Sequence, residues 1–504
     1  MSLRKNILAN YASQIYVAAI GILILPLYIK YMGAEAYGLV GFFSMLQAFF
    51  AMLDLGLTPT ISRQSARYHG GAISPLEYKQ LHRALSVIFL AIAIIGGSIL
   101  FFSSSYISSS WLSIETLEVD EVNLAVEIMA ISIALRWLCG LYRGVITGAE
   151  EFVWLSLYNI IIASLRFIVV LPVMWVFGAT PTIFFVYQLM IAVLELLAIY
   201  LKGNSLLPRK NDILVKIGWS FKPVKAVLKF SLTIAFTSSV WVLITQTDKL
   251  ILSGILSLTE YGYFTLAVML ASGIMILAGP ITTALMPRMA RLHSEDKNAE
   301  LIQLYRNSTQ LVTVIAGAAT VTIIACSYNI VFAWTGDELL TAEVAPILQL
   351  YAAGYGFLSI GAFPYYLQYA RGNLKYHLIG NIILLIMLLP TLVIVAREYG
   401  AIGAGWVWLS VNLTYLVFWV GYVHSKLEPG LHIKWLFNDI IQILLLPIII
   451  AVFANQYVID ILSEDRIVEI FKISIVSLVI LVTSSFLSSY VRRIIASYTL
   501  NLKV

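Results

Sequence analysis

The chain has 504 residues, of which 60% are hydrophobic and 12% charged, with a mean hydropathy of +0.89 and a formal net charge of +5. Soluble proteins carry about 25% charged residues, so a water-soluble globule of this length is excluded and lipid is the expected solvent. Cys139 and Cys326 each sit alone in an apolar run, which excludes a disulfide framework and a zinc spacing.

Taken in order, the chain offers fourteen stretches that reach the roughly 20 apolar residues a membrane-spanning helix needs. The first six cover 7–29, 37–57, 84–105, 122–146, 153–177 and 181–201. The next six cover 228–254, 261–286, 307–334, 344–370, 376–396 and 401–425, and two more follow at 438–457 and 469–490. Arg4, Lys5, the first apolar run and Ala34-Glu35-Ala36 superficially resemble a cleaved signal. The run is too long for one and carries Asn10, Ser13 and Gln14, so it reads as a retained first helix.

Loop charge checks the count, because Lys and Arg collect in cytoplasmic loops. Basic residues fall in alternate loops: Arg63, Arg67, Lys79 and Arg83, then the stretch from Lys202 to Lys229, then Arg288, Arg291 and Lys297, and onward to Arg492 and Arg493. The opposite loops are acidic, with Glu115, Glu118, Asp120 and Glu121, then Asp337, Glu338 and Glu343, then Asp460, Glu464 and Asp465. The expected protein is an all-α integral membrane protein of about fourteen spans with both termini cytoplasmic.

A shift of 224 residues lays Tyr37-Gly38 on Tyr261-Gly262, Ala66-Arg67 on Ala290-Arg291, and Gly148 on Gly372. The shift spans an even number of helices, so the two halves are expected to run parallel. The divisions expected are a six-helix lobe at 1–202, a basic linker at 203–227, a second lobe at 228–425, and two further helices with a basic tail at 426–504. Within the linker, Lys216, Lys222 and Lys225 around Trp219 and Phe221 read either as an interfacial stretch on anionic headgroups or as a topology-setting connection.

A charge at mid-bilayer is costly and marks a cavity or a partner. Arg136 and Arg166 lie near the middles of segments four and five, and Arg143 shares a helix face with Arg136. Arginine keeps its proton, so burying it demands water, a partner or cargo. These three are the expected substrate-binding residues of a cationic cavity, with Arg143 also close enough to its helix end to snorkel. Glu195, Asp54, Asp248 and Lys249 are candidates for ion coupling or charge pairing: Glu195 as a neutraliser of Arg166, Asp54 also as a cap, and Asp248-Lys249 also as a local polar break. Arg63, Arg67, Arg288 and Arg291 form a basic cytoplasmic face. The repeat carries none of the central charge across, since Arg136 maps to Ile360 and Asp54 to Ala278.

Pro26, Pro172, Pro280, Pro364 and Pro390 are expected to bend their helices. No GxSxG, HExxH or Walker pattern is visible and the histidines are isolated, so the protein reads as no enzyme, without metal or cofactor. A proton or sodium gradient, or the cargo's own imbalance, would have to drive it.

Several ordered motifs carry a family likeness: Pro26-Leu27-Tyr28, Tyr37-Gly38-Leu39, Asp54-Leu55-Gly56-Leu57, Arg143 to Phe152 (RGVITGAEEF), Tyr261-Gly262-Tyr263, Met286-Pro287-Arg288 and Gly400-Ala401-Ile402-Gly403-Ala404. On these the chain resembles the polysaccharide-repeat (O-antigen type) flippases of the multidrug/oligosaccharidyl-lipid/polysaccharide exporter superfamily. The resemblance implies two six-helix lobes around a cavity of alternating access, plus two C-terminal helices. It implies an undecaprenyl-diphosphate-linked oligosaccharide as cargo in the bacterial inner membrane, with Arg136, Arg143 and Arg166 drawing its diphosphate or acidic sugars. Membrane lipid and other polysaccharide-assembly proteins are the implied partners, and nucleic acid is not. A cation-coupled multidrug exporter and a lipid II flippase are the alternatives. The first segment lacks the acidic residue many drug extruders have there. A membrane polymerase would need a larger outer loop.

Overall fold

The computed structural model describes residues 3–208, 218, 222–459 and 465–501. Lys216, Trp219 and Phe221 of the expected interfacial stretch lie outside these residues, as do Asp460 and Glu464. The described residues form helices and no strands. That is what lipid demands, because a helix satisfies its own backbone hydrogen bonds where no water can.

The first helices are α1 (Leu8–Met32), α2 (Ala34–Asp54), α3 (Pro75–Phe102), α4 (Val119–Gly148), α5 (Phe152–Phe177) and α6 (Pro181–Ser205). They are followed by α7 (Lys222–Ser253) and α8 (Leu258–Ser294). Then come α9 (Asn298–Ala325), α10 (Glu338–Ala370), α11 (Lys375–Leu427), α12 (Leu431–Val458) and α13 (Arg466–Leu487). Twelve stretches among the described residues are long and apolar enough to cross a membrane. The expected segment 228–254 falls on α7, and the expected segments 376–396 and 401–425 both fall in α11. At 53 residues α11 is far too long for one crossing. It turns at Gly400, where φ is 56° and ψ −141°, a conformation open to glycine.

Starts of helices follow legible chemistry. Ser74 caps α3 by accepting from the Glu77 amide at 3.2 Å, with Pro75 in the first turn. Thr180-Pro181 begins α6 in the same way, and Asp337 caps α10. Pro26 and Pro364 each stand at the start of a new helical piece after a break, whereas Pro280 and Pro390 sit inside continuous helices.

The chain divides into two compact units, Met1–Gly262 and Tyr263–Val504. In the first, α4 is the central helix. Over half of its apolar window is buried (56%), against 17% for α3, whose Ile94, Ile95, Ile99 and Phe102 are exposed for lipid. Gly140, Gly144 and Gly148 form a small-residue stripe on α4 against the short helix Leu57–His69. A methyl group at Gly148 would collide with the Ser62 carbonyl oxygen, so the stripe permits this close packing.

The repeated Tyr-Gly pairs also meet within this unit. A side chain at Gly38 would strike the Leu258 carbonyl, and one at Gly262 would strike the Ala34 carbonyl. A shift of 224 carries 34 to 258 and 38 to 262, so the contact is reciprocal. Beside it the buried Glu35 carboxylate accepts from the backbone amides of Glu115, Thr116 and Leu117, and from the Thr116 hydroxyl. Trp111 donates to Ser253 Oγ at 3.0 Å, and the Leu258 amide donates to the Ser113 carbonyl at 2.9 Å.

The second unit holds its last helices with both apolar and polar contacts. Val321 and Cys326 around the end of α9, Ala451 on α12, and Val476 and Ile480 on α13 form one buried cluster. Arg306 on α9 makes a bidentate pair with the fully buried Asp439, at 2.7 and 3.1 Å. Gln310 donates to the same carboxylate at 2.7 Å and accepts from Ser488 Oγ at 2.9 Å and the Tyr490 amide at 3.0 Å. On α10, Tyr351, Tyr355 and Phe363 are buried in packing, with Tyr351 stacked on Trp408 at 6.0 Å.

Candidate functional site

Arg136 leaves the middle of α4 and ends among three acceptors from two other helices. Its Nη2 donates to the Gln188 side-chain oxygen at 2.8 Å and to the Gln188 carbonyl at 3.3 Å, both on α6. Its Nη1 donates to Gln47 Oε1 on α2 at 3.3 Å. Its Nε stands 3.5 Å from Glu195 Oε2, also on α6, with both side chains under a tenth exposed (7% and 8%). This is an ion pair without a hydrogen bond, and neither of the two atoms has any other hydrogen-bond partner. The guanidinium carbon lies 5.2 Å from the Phe43 ring centre, a favourable cation–π contact.

Arg166 is placed by a local irregularity in α5. Residues Ser164–Val169 form a π-helical turn, which widens the helix just before Pro172. Pro172 has no amide proton to give the Ile168 carbonyl, and π turns recur at functional sites. Three successive carbonyls in this turn accept from side chains. Tyr187 donates to Leu165 at 2.8 Å, Gln188 to Arg166 at 2.9 Å, and Tyr28 to Phe167 at 2.8 Å. The Arg166 side chain is half-buried, and its Nε is buried without a hydrogen-bond partner. Its charge acts on Arg136.

Arg143 donates to Asn159 Oδ1 at 3.0 Å and lies 5.9 Å from the Tyr158 ring centre. Tyr158 in turn donates to the Glu195 carbonyl at 3.0 Å. Among the described residues no carboxylate forms an ion pair with Arg143 or Arg166. The structure therefore brings Arg136, Arg143, Arg166 and Glu195 into the first unit with three cations and one acid. Glu195 reaches Arg136, not Arg166 as a neutralising partner. Such a group suits a bound anion, because guanidinium matches phosphate oxygens bidentately and is only weakly hydrated.

The other acidic candidates are engaged locally. Asp54 caps the short helix Leu57–His69, accepting from the Thr58 amide at 3.1 and 3.3 Å and the Thr58 hydroxyl at 2.6 Å. The chain turns left-handed between them at Leu55 and Gly56, with φ of 47° and 69°. Asp248 is buried and pairs with the neighbouring Lys249 at 3.4 Å, whose Nζ also donates to the Thr245 carbonyl at 2.7 Å.

Arg63, Arg67, Arg288 and Arg291 are exposed. Arg67 donates to Gln64 Oε1 at 3.2 Å. Arg291 pairs with Glu295 at 2.7 Å, and Lys297 pairs with the same carboxylate at 2.9 Å. The hydrogen bond from Arg291, then that from Lys297, pulls the Glu295 carboxyl down to about 2. Among the described residues no group of three His, Cys, Asp or Glu is arranged to hold a metal ion.

Gln47, Gln188 and Asn159 are the site residues that sequence reasoning passed over. Each is an amide within an apolar helix, and that polarity was the available signal.

An all-helical protein with twelve membrane-length apolar stretches among its described residues is a multi-pass membrane protein by class. The chain belongs to the polysaccharide biosynthesis protein family, whose model matches residues 3–293, more than half of its length. It is 22% identical over 416 residues to the "Putative O-antigen transporter" of Shigella flexneri, covering 81% of this chain and 94% of that protein. Among solved structures it is similar to "Lipid II flippase MurJ, inward closed conformation", with TM-score 0.66, 16% identity, and 97% and 99% of the two chains covered. It is also similar to an inward-facing multidrug resistance MATE family transporter of the MOP superfamily, with TM-score 0.62, 14% identity, and 85% and 96% coverage. At these identities the structural likeness establishes the fold alone, one shared with these two proteins. The protein is a multi-pass protein of the bacterial inner membrane, where α-helical spans are the rule.

Proposed function

We propose that the protein flips an undecaprenyl-diphosphate-linked oligosaccharide repeat unit from the cytoplasmic to the outer leaflet, for O-antigen or another surface polysaccharide. The diphosphate or acidic sugars engage Arg136, Arg166 and Arg143 in the first lobe, and the isoprenoid tail stays in lipid. Access alternates between the two sides as the two parallel lobes rearrange. The observation that carries this reading is an excess of positive charge in the first unit, where the buried Arg136 side chain meets one acid and the half-buried Arg166 and Arg143 meet no carboxylate among the described residues. A drug cation would meet repulsion there, whereas an anionic lipid headgroup supplies what the arginines lack.

No cofactor takes part. A proton or sodium gradient, where one is used, acts through Glu195, the acid nearest the site; Asp54 and Asp248 are committed to a helix cap and to Lys249. The basic face at Arg63, Arg67, Arg288 and Arg291 lies on the cytoplasmic side, where the cargo is made. Lipid II remains the second reading, supported by the similarity to the solved lipid II flippase. The test is reconstitution in liposomes with a lipid-linked oligosaccharide and with lipid II, followed by leaflet-accessibility assay. Protein-dependent movement of the oligosaccharide is the expected result. Movement of lipid II alone selects the second reading, and movement of neither overturns both.

A further inference from the structure

Gln188 uses its whole amide to tie the two central arginines together. Its Oε1 accepts from Arg136 Nη2 at 2.8 Å, and its Nε2 donates to the Arg166 carbonyl at 2.9 Å. Its own carbonyl accepts a second contact from Arg136 at 3.3 Å, and the residue is only 3% exposed. The amide has one chemically sensible orientation here. A guanidinium only donates and a carbonyl only accepts, so reversing the amide would set donor against donor and acceptor against acceptor. The carbonyl it binds lies in the π turn at Ser164–Val169, between two carbonyls taken by Tyr187 and Tyr28. The backbone position of Arg166 is therefore pinned by α6, and the same side chain pins the head of Arg136.

Gln47 differs in kind. It accepts from Arg136 at 3.3 Å and otherwise donates to the Phe43 carbonyl on its own helix, so it restrains one arginine only.

We infer that Gln188 is a positioning and specificity-determining residue. By fixing the head of Arg136 against the backbone from which Arg166 projects, it makes the site prefer a headgroup with two linked phosphoryl groups over one with a single phosphoryl group. This rests on the proposed anion-binding role of the two arginines and adds what sets their selectivity. One phosphoryl group needs one guanidinium, wherever that guanidinium sits. Two linked phosphoryl groups gain from both cations only if the spacing between them is already set, because otherwise ordering the long side chains offsets the gain. Glutamine suits this role better than its relatives. Glutamate would neutralise Arg136 and face the Arg166 carbonyl with a second acceptor, and methionine would fill the space while making neither bond.

The experiment uses the full chain in lipid nanodiscs, with farnesyl diphosphate and farnesyl monophosphate as probes of equal tail length. Wild type should bind the diphosphate about tenfold more tightly or better. Gln188→Met should weaken diphosphate binding about tenfold and change monophosphate binding less than about twofold, so that the preference collapses. Gln188→Asn keeps an amide but is too short to bridge both groups; it should show the same collapse, and it guards against a fold defect in the first variant. Gln47→Met should weaken both probes alike and leave their ratio intact. A merely structural role for Gln188 predicts equal weakening of both probes, and that result, or an unchanged ratio in both Gln188 variants, overturns the inference. Wild type binding both probes equally overturns it too, while leaving the anion site standing. Wild type binding neither removes the anion site and this inference with it.

Discussion

The central arginines of the first unit are met differently from the buried acids of the second, although Glu35 in the first unit is itself well supplied with donors. In the second unit Asp439 receives two bonds from Arg306 and one from Gln310. The buried Glu469 there is met by Asn329 at 2.6 Å and Lys472 at 2.8 Å. Each acid is closed off by donors that fix one helix to another. In the first unit Arg136 meets its acid at 3.5 Å without a hydrogen bond, and Arg166 keeps a buried Nε with no partner. Satisfied buried charge holds helices together, and imperfectly satisfied buried charge calls for a further partner such as water, an ion or a ligand. On this contrast we place the proposed cargo site in the first unit, although both units hold buried ions.

If the contrast holds, substitutions should separate into effects on stability and effects on transport. The largest stability loss should follow Asp439→Ala, which leaves Arg306 and Gln310 facing an empty space. About 3–5 kcal/mol is the usual cost of orphaning one member of a buried pair, read as a lower unfolding temperature and poor recovery from membranes. Gly148→Ala forces a methyl group against the Ser62 carbonyl and should cost about 1–3 kcal/mol through overpacking. It should lower thermal stability whatever cargo is present.

Arg166→Ala removes a cation that has no acid to leave behind. It should keep expression and unfolding temperature near wild type, yet slow transport about tenfold, equivalent to about 1.4 kcal/mol. Equal losses of stability in Arg166→Ala and Asp439→Ala would break the comparison. The smallest effect belongs to Glu295→Gln at the exposed Arg291–Glu295–Lys297 cluster. Its carboxyl lies down at about 2, so any stability it adds is complete above the ordinary carboxylate range and fades as pH falls toward about 2. Transport and unfolding temperature at neutral pH should not change, and thermal scans from pH 7 to pH 3 would check this.

Much of the fold was legible because lipid restricts it so severely. Span length and alternating loop charge mark helices that the structure contains. Gly400 was noted only as part of a motif, and its role in turning α11 needed backbone angles. The reciprocal contact of Gly38 with Leu258 and Gly262 with Ala34 gives the repeat a physical meaning that a shift of 224 alone does not carry.

The site was legible in part. Arg136 and Arg166 stand out in any apolar segment because arginine cannot discard its charge. Which acid faces which arginine depends on how α4, α5 and α6 rotate against one another, and periodicity says nothing of that between separate helices. Glu195 therefore looked equally fit for Arg166. Gln188 bridges residues 52 and 22 positions away, a relation visible only once α6 is packed. Glu35 was hidden differently: it sits in what reads as a signal-cleavage motif, and its partners are backbone amides that no sequence pattern announces.

The central claim is that buried arginines in the first unit carry an anionic lipid-linked cargo across the membrane. Its most direct test is leaflet translocation of a lipid-linked oligosaccharide by reconstituted wild type and by the Arg136→Ala/Arg166→Ala double variant, at matched protein content. The account predicts rapid protein-dependent translocation by wild type and loss of that activity in a double variant that still inserts normally. Translocation by the double variant at the wild-type rate would contradict it.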